Sequence, residues 1–434
     1  MNRGNRPRTT DTQKTSALRA IFAWQLPVWL IIPLMTLMLV GGVGGGFVAA
    51  QMLTPPTTCP ESPEVCEDFG VFWEAWQLAR DHFVDVDALQ PKTMTEGAIR
   101  GMLDTLGDQG HTRFLTAEEA ERWQESLSAE FEGIGAYVDV VDGQTVIVAP
   151  IQSSPAEEAG LLSGDVILRV AGEETSGWTV QELVQHVRGP KGTTVELTIQ
   201  REGVADPFNV DVRRDTVELP SVSWTMLPDT IAFIRLNSFA ERSADQIRDA
   251  LNEAIAQGAE SVVLDLRNNG GGLVDEAVNI ASQFLPADTT VFLWENRDGG
   301  RRPSTTRSGG VALDMPLVVL VNRGTASSSE ILSGALQDAK RASIVGSLTT
   351  GTGTVLSTYR LQDGSQLLLG TSQWLTPNGR LIRTEGIQPD IEVILPDDVP
   401  PLTPVTAEGL TTEELQQQAD TQLLKAIEVL TNGE

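Results

Sequence analysis

The sequence predicts an α/β protein with a largely parallel central sheet. The first observation is that from residue 207 to 396 apolar strand-like runs, IAFIRL, SVVLDL, PLVVLVN and SIVG, alternate with helical patterns over Ser243 to Gln257, Leu273 to Phe284 and Ser328 to Arg341. Alternation of this kind is how parallel sheets are built, each crossover being a helix. The second is a change of texture over residues 128–206, where FEGIGAYVDVVDGQTVIVAPI and TTVELTIQREG alternate as half-buried strands around the short helix VQELVQHVRG. The third is length: 434 residues exceed one ordinary core, so two or three domains are expected.

The first 27 residues are basic, with Arg3, Arg6, Arg8, Lys14 and Arg19 against Asp11 alone. Residues 28–50 are apolar or glycine except Thr36, long enough to cross a hydrocarbon core of about 30 Å as one helix. The positive flank orients that span with its N-terminus in the cytoplasm and everything beyond it outside. A cleaved signal peptide is the alternative, since Val48-Ala49-Ala50 is loosely like a cleavage site, but the apolar run is longer than such signals carry. Residues 51–66 follow as a linker holding the only cysteines, Cys59 and Cys66, which on an oxidising side are disulfide candidates; no metal set is nearby.

Residues 67–127 read as a small helical region, from GVFWEAWQLARDHFVD, MTEGAIRGMLDTLG and TAEEAERWQESL. At the other end, residues 397–434 form a proline-rich linker and a last helix opened by a capping box, Thr411-Thr412-Glu413-Glu414. With 59 acidic against 31 basic residues the surface is strongly anionic, which argues against nucleic acid as a partner.

Residues 128–206 resemble a PDZ domain. The resemblance is carried by Gly133-Ile134-Gly135-Ala136, by Ser154-Pro155-Ala156 with Ala159-Gly160-Leu161, and by Gly164-Asp165-Val166-Ile167. It implies that backbone N–H groups of the 133–136 loop receive the terminal carboxylate of a peptide that pairs as an added strand. Taken alone, GIGA is a tight turn between strands. Arg188 and Lys191 could steer acidic peptides, or could simply sit on a solvated loop.

The chemistry concentrates in LDLRNNGGGLVDEAV and VNRGTASSSEILSGALQDAKRASIVG. In the first, a strand ends in glycines that open a helix, leaving Gly270, Gly271 and Gly272 N–H groups to meet an anion. The second sets Ser327, Ser328 and Ser329 at a helix start, where serines ordinarily cap. Together with the PDZ-like block and TPNGRLIRTEGIQPDI, the chain resembles the C-terminal processing peptidases, also called tail-specific proteases, over roughly residues 70–430. That resemblance implies a Clp-protease or crotonase-like α/β core with an inserted PDZ domain. It also implies Ser327 as nucleophile, with an oxyanion hole from Gly271 or Gly272 and Ser328.

The family's base is a lysine, and at its position stands Thr352, in GSLTTGTGTVL. A threonine hydroxyl has no basic site at neutral pH. Lys340 is the only lysine in this block, thirteen residues from Ser327 and about 20 Å away along a helix. Of the histidines, His82 and His186 sit among polar neighbours on predicted helices. His111, in LGDQGHTRFLT, resembles instead the Asp-Gly-His-Thr segment of the tricorn-like branch of the superfamily, which implies a histidine base for the serine. Glu385 is the candidate to orient it. The expected protein is therefore a membrane-anchored serine endopeptidase, single-pass, with its catalytic part outside the cytoplasm and its PDZ domain gathering protein C-termini. It needs no metal or cofactor, and a homo-oligomer is left open. The competing expectation is an inactive pseudoprotease that keeps only peptide binding.

Overall fold

The computed structural model describes residues 62–108, 111–141, 143–396 and 398–432. The expected membrane span at 28–50 and Cys59 lie outside the described residues. Cys66 is disulfide-bonded, and Cys59 is the only other cysteine in the chain. The chain divides into two compact units, residues 1–90 and 91–434. In the first, the helix Pro63–His82 carries Phe69, Phe72, Trp73 and Trp76 as mutual ring contacts. The expected helical region 67–127 is thus shared between the two units.

The second unit opens with the helix Pro91–Asp104, a short strand Arg113–Leu115 and the helix Ala117–Ser128, whose start is fixed by a reciprocal Thr116–Glu119 capping box. Its centre is a six-stranded sheet in the order Val222–Leu227, Ile231–Leu236, Ser261–Asp265, Leu317–Val321, Ser343–Gly346, Ile391–Glu392. The first pair is antiparallel and every later pair is parallel. Alternate strand residues explain why these segments are apolar on both faces. Ala232, Ile234, Val262, Leu264, Val319 and Ile344 pack in one core with the helices Ser243–Ala256, Val274–Phe284 and Ser328–Asp338. Phe233, Val263, Val318, Leu320 and Val345 pack in another core with Leu415, Leu423, Ala426 and Val429. The C-terminal helices Thr412–Gln416 and Thr421–Asn432 therefore close the rear of the sheet instead of forming an appendage.

The 128–206 block is a six-stranded antiparallel sheet, five strands in the order Ala136–Val141, Gln144–Pro150, Val166–Val170, Thr194–Gln200, Phe208–Arg213 and a short sixth, Glu173–Glu174, beside Val166–Val170; the helix Val180–Val187 flanks it. Its last strand lies beyond residue 206, so the domain runs longer than its sequence boundary. The chain enters and leaves it through an antiparallel pair, Glu130–Gly133 with Asp215–Glu218, which makes it an insertion on a two-stranded stalk.

A third sheet is wholly antiparallel: Arg113–Leu115 pairs with Gln366–Leu375, which pairs with Thr354–Arg360 and Thr290–Glu295, and the last with Arg301–Thr305. It joins the early segment around residue 113 to the segment just after Thr352.

Candidate active site

Ser327 stands where the buried strand Leu317–Val321 turns into the helix Ser328–Asp338. Its backbone has φ 54 and ψ −118, a conformation that costs a β-substituted residue about 1–3 kcal/mol. The surroundings hold it there. Ser327 N–H donates to Thr352 Oγ1 at 2.6 Å and to Glu330 Oε2 at 2.9 Å. On either side, Ala326 N–H and Ser329 Oγ both donate to Asn269 O, at 3.0 and 2.9 Å. Among the described residues no hydrogen bond engages Ser327 Oγ, and the residue lines an open cleft of about 460 Å³.

The glycine run abuts this turn. A Cβ on Gly271, where φ is 96, would lie 2.8 Å from Ser327 Cβ and 2.9 Å from Ser328 N; one on Gly272, where φ is 143, would lie 2.4 Å from Phe239 O. Only glycine allows the two backbones to come this close. Gly271 N–H is not available as an oxyanion donor, because it is bonded to Asn269 Oδ1 at 2.9 Å. That corrects one sequence expectation. Among the described residues no hydrogen bond takes the N–H of Gly272 or of Ser328, and Ser328 Oγ donates to Gly272 O at 2.9 Å, tying the two together.

Thr352 is a bridge. Its hydroxyl accepts from Ser327 N–H and donates to Glu330 Oε2 at 2.7 Å. Glu330 is fully buried and also receives Thr352 N–H, Gly351 N–H and Thr349 Oγ1–H. A buried carboxylate is tolerable only when its lone pairs are taken up in this way. Among the described residues no lysine lines the cleft, and Lys340 lies past the end of the helix, with φ 53.

His111 lines the same cleft as Ser327. Its Nδ1 is 2.6 Å from Thr354 Oγ1, which is 3.1 Å from Asp108 Oδ2 and 3.2 Å from Oδ1. A hydroxyl has one proton, and an ionised carboxylate only accepts. Thr354 therefore donates to Asp108 and accepts from Nδ1–H, which leaves Nε2 as the unprotonated ring nitrogen. Burial pushes the imidazole pKa below its ordinary value; the Asp108 charge opposes this and Arg113 adds to it. Asp108 is fixed in turn by Thr112 N–H at 3.1 Å, Thr112 Oγ1 at 2.6 Å and Arg383 at 3.6 Å.

Glu385 does not serve as the orienting group: it is exposed and its side chain makes no hydrogen bond or ion pair among the described residues. Asp108 and Thr354 take that place. Both were visible in the sequence, one within the LGDQGHT segment and the other two residues past Thr352. What brings them together is the pairing of Gln366–Leu375 with both Arg113–Leu115 and Thr354–Arg360. A register irregularity between Val355 and Leu356 turns both of those side chains toward the cleft.

In the PDZ-like block, Gly133 ends the stalk strand, Ile134 is buried, Gly135 has φ 76 and Ala136 begins an edge strand. The loop is tied down by Ser154 Oγ and Ile151 N–H, which donate to Gly135 O at 2.7 and 2.9 Å. Arg188 pairs with Glu125 at 2.6 Å, and Lys191 pairs with Asp215. Both charges are partnered, so neither is free to steer acidic peptides.

A strained serine on a strand-to-helix turn, two neighbouring backbone N–H groups without a hydrogen bond among the described residues, and a histidine held on the same cleft are the parts of a serine hydrolase site. The chain belongs to peptidase family S41, whose family model matches residues 230–393, and a PDZ domain model matches residues 146–201. It is 36% identical over 321 residues to the carboxy-terminal processing protease CtpA of Bacillus subtilis, covering 74% of this chain and 68% of that one. It is 37% identical over 365 residues to the carboxyl-terminal-processing protease of Synechocystis, covering 82% of each. A relative in Staphylococcus haemolyticus, named "Probable CtpA-like serine protease", is 38% identical over 304 residues; the chain spans 60% of its length.

Proposed function

We propose that this serine peptidase works with Ser327 as nucleophile and His111 as base, in place of the serine–lysine pair. The observation that carries the reading is that His111 and Ser327 share one cleft while Nδ1 is committed to Thr354, so the basic Nε2 is the nitrogen left to serve the serine. Nε2 takes the Ser327 proton as Oγ attacks the peptide carbonyl. The tetrahedral oxygen is held by Gly272 and Ser328 N–H, and the imidazolium then protonates the leaving amine. Water enters and attacks the acyl carbon as Nε2 accepts its proton, and the imidazolium returns that proton to Ser327 Oγ as the ester bond breaks and the acid leaves. Thr354 and Asp108 hold the imidazole in the required tautomer and favour its charged form as it arises.

The substrates we infer are protein C-terminal regions gathered by the PDZ domain. Its strand Ala136–Val141 pairs on one side only, with Gln144–Pro150, leaving an edge that can accept a peptide strand beside the helix Val180–Val187. The apolar run at 28–50 and its basic flank support a membrane anchor with the catalytic part outside the cytoplasm.

The test is fluorophosphonate labelling of the full chain. Wild type should label at Ser327, Ser327→Ala should not, and His111→Ala should label at least about a hundredfold more slowly with its fold intact. A wild type that never labels at any pH favours the pseudoprotease reading. Full labelling of His111→Ala removes the histidine from the mechanism.

A further inference from the structure

Among the described residues lining the Ser327 cleft, Arg113 is the one permanently charged side chain, and none is an aspartate or glutamate. In a chain of net charge −28 that is an unusual place to find a cation without a counter-ion. Arg113 Nε is buried without a hydrogen-bond partner, and among the described residues the guanidinium has no ion pair. The Trp123 ring lies under it, 4.7 Å from the guanidinium carbon to the ring centroid. The nearest acidic influence is Glu119, but Glu119 Oε2 is already taken by Arg100 at 2.7 Å and by Thr116 N–H at 2.8 Å. Nε of this partly buried cation has given up hydration without gaining an acceptor, and a carboxylate is the group the planar donor fork matches.

Its position is as specific as its state. Arg113 is two residues from His111, within about 7 Å Cα to Cα, and both line the cleft while Thr112 between them is buried beneath. Pairing with Leu368 on the neighbouring strand fixes the backbone from which it projects.

We propose that Arg113 is a receptor for a substrate carboxylate inside the catalytic cleft, within about two peptide residues of the scissile bond. The carboxylate is either the peptide's own C-terminus or the side chain of an aspartate or glutamate near the cleavage point. This site is separate from the 133–136 loop of the PDZ domain, and it rests on the reading of Ser327 as the nucleophile.

The experiment uses the full chain with internally quenched peptides of one sequence, made as C-terminal acid or amide, and with Asp or Glu against Asn or Gln beside the cleavage point. Rates are taken on the alkaline plateau of each variant, so that a change in His111 titration does not enter. Wild type should prefer the charged member of a pair by about 10- to 100-fold in kcat/KM, mostly through KM. Arg113→Gln should lose that preference and Arg113→Lys should keep part of it. A preference that follows the C-terminal acid assigns the terminal carboxylate, and one that follows the internal residue assigns an acidic side chain. The same preference in wild type and Arg113→Gln overturns the proposal. Cleavage that persists in Ser327→Ala overturns instead the underlying nucleophile assignment. Should Arg113→Gln not fold, wild type alone decides: N-acetyl dipeptide acids should slow fluorophosphonate labelling of Ser327 and the matching amides should not, and equal effects would refute the site.

Discussion

His111 Nδ1 lies 2.6 Å from Thr354 Oγ1, and the same hydroxyl reaches Asp108 at 3.1 Å. One threonine thereby sets the tautomer of a histidine 243 residues earlier in the chain. Thr354→Val keeps the shape and removes both hydrogen bonds. It should lower kcat at least about tenfold with little change in KM, while Thr354→Ser stays near wild type. Steady-state kinetics on a peptide substrate check this, and an unaffected Thr354→Val would show that the imidazole is oriented by something else.

The acid limb of the pH profile follows from the charges around His111. Burial lowers its pKa from the ordinary value of about 6.5, so the neutral, basic form persists to lower pH, and the limb of kcat/KM should have its midpoint below 6.5. Asp108 raises that pKa and Arg113 lowers it. Asp108→Asn should therefore move the limb to still lower pH while reducing the maximum, and Arg113→Gln should move it upward. Shifts in the opposite directions would mean that the titrating group is not His111.

Thr352 occupies the place of the family's lysine, yet its hydroxyl accepts from Ser327 N–H and donates to a buried carboxylate. A lysine introduced there meets Glu330 at once, and an ammonium paired with a buried carboxylate stays charged and cannot act as a base. Thr352→Lys should not restore activity to His111→Ala, and in the wild-type background it should reduce activity by loosening Ser327. Thr352→Val should cost about 1–2 kcal/mol of stability, and Thr352→Ser much less. Denaturant titration and kinetics on the same samples measure both. Gain of activity in Thr352→Lys would mean that the serine awaits a lysine and that His111 is not its base.

How far the sequence could be read depended on whether the signal was local. Runs such as PLVVLV and SVVLDL are apolar throughout because both faces of their strands are covered, and that is legible residue by residue. The third sheet is not legible in this way, because Thr290–Glu295 and Gln366–Leu375 are distant antiparallel partners whose pairing leaves no mark on either segment. The site divides in the same way. Ser327 and the glycine run announce themselves as local patterns, whereas the contact of Asp108 with Thr354 spans 246 residues. At shorter range the glycine run does not reveal that the Gly271 N–H is taken, because Asn269 folds its side-chain oxygen back onto it. Glu385 failed because nearness to a motif in sequence does not bury a side chain or aim it at the cleft.

Gly271 remains essential for a reason other than its N–H. An alanine there has to adopt φ near 96 and to place its Cβ 2.8 Å from Ser327 Cβ and 2.9 Å from Ala326 O and Ser328 N, none of which is the free end of a flexible side chain. The serine turn must then move, and with it the separation between the Gly272 and Ser328 donors. Gly271→Ala should lose labelling by at least about a hundredfold, the scale of a lost oxyanion donor, and be destabilised by about 1–3 kcal/mol. Gly270→Ala is the matched control for stability, since nothing lies within 4 Å of its added Cβ and its φ is not positive. Its melting temperature should stay close to that of wild type. Equal melting temperatures and equal labelling in wild type and Gly271→Ala would show that the two turns tolerate separation, and the close approach of Gly271 to Ser327 would then have no part in building the site.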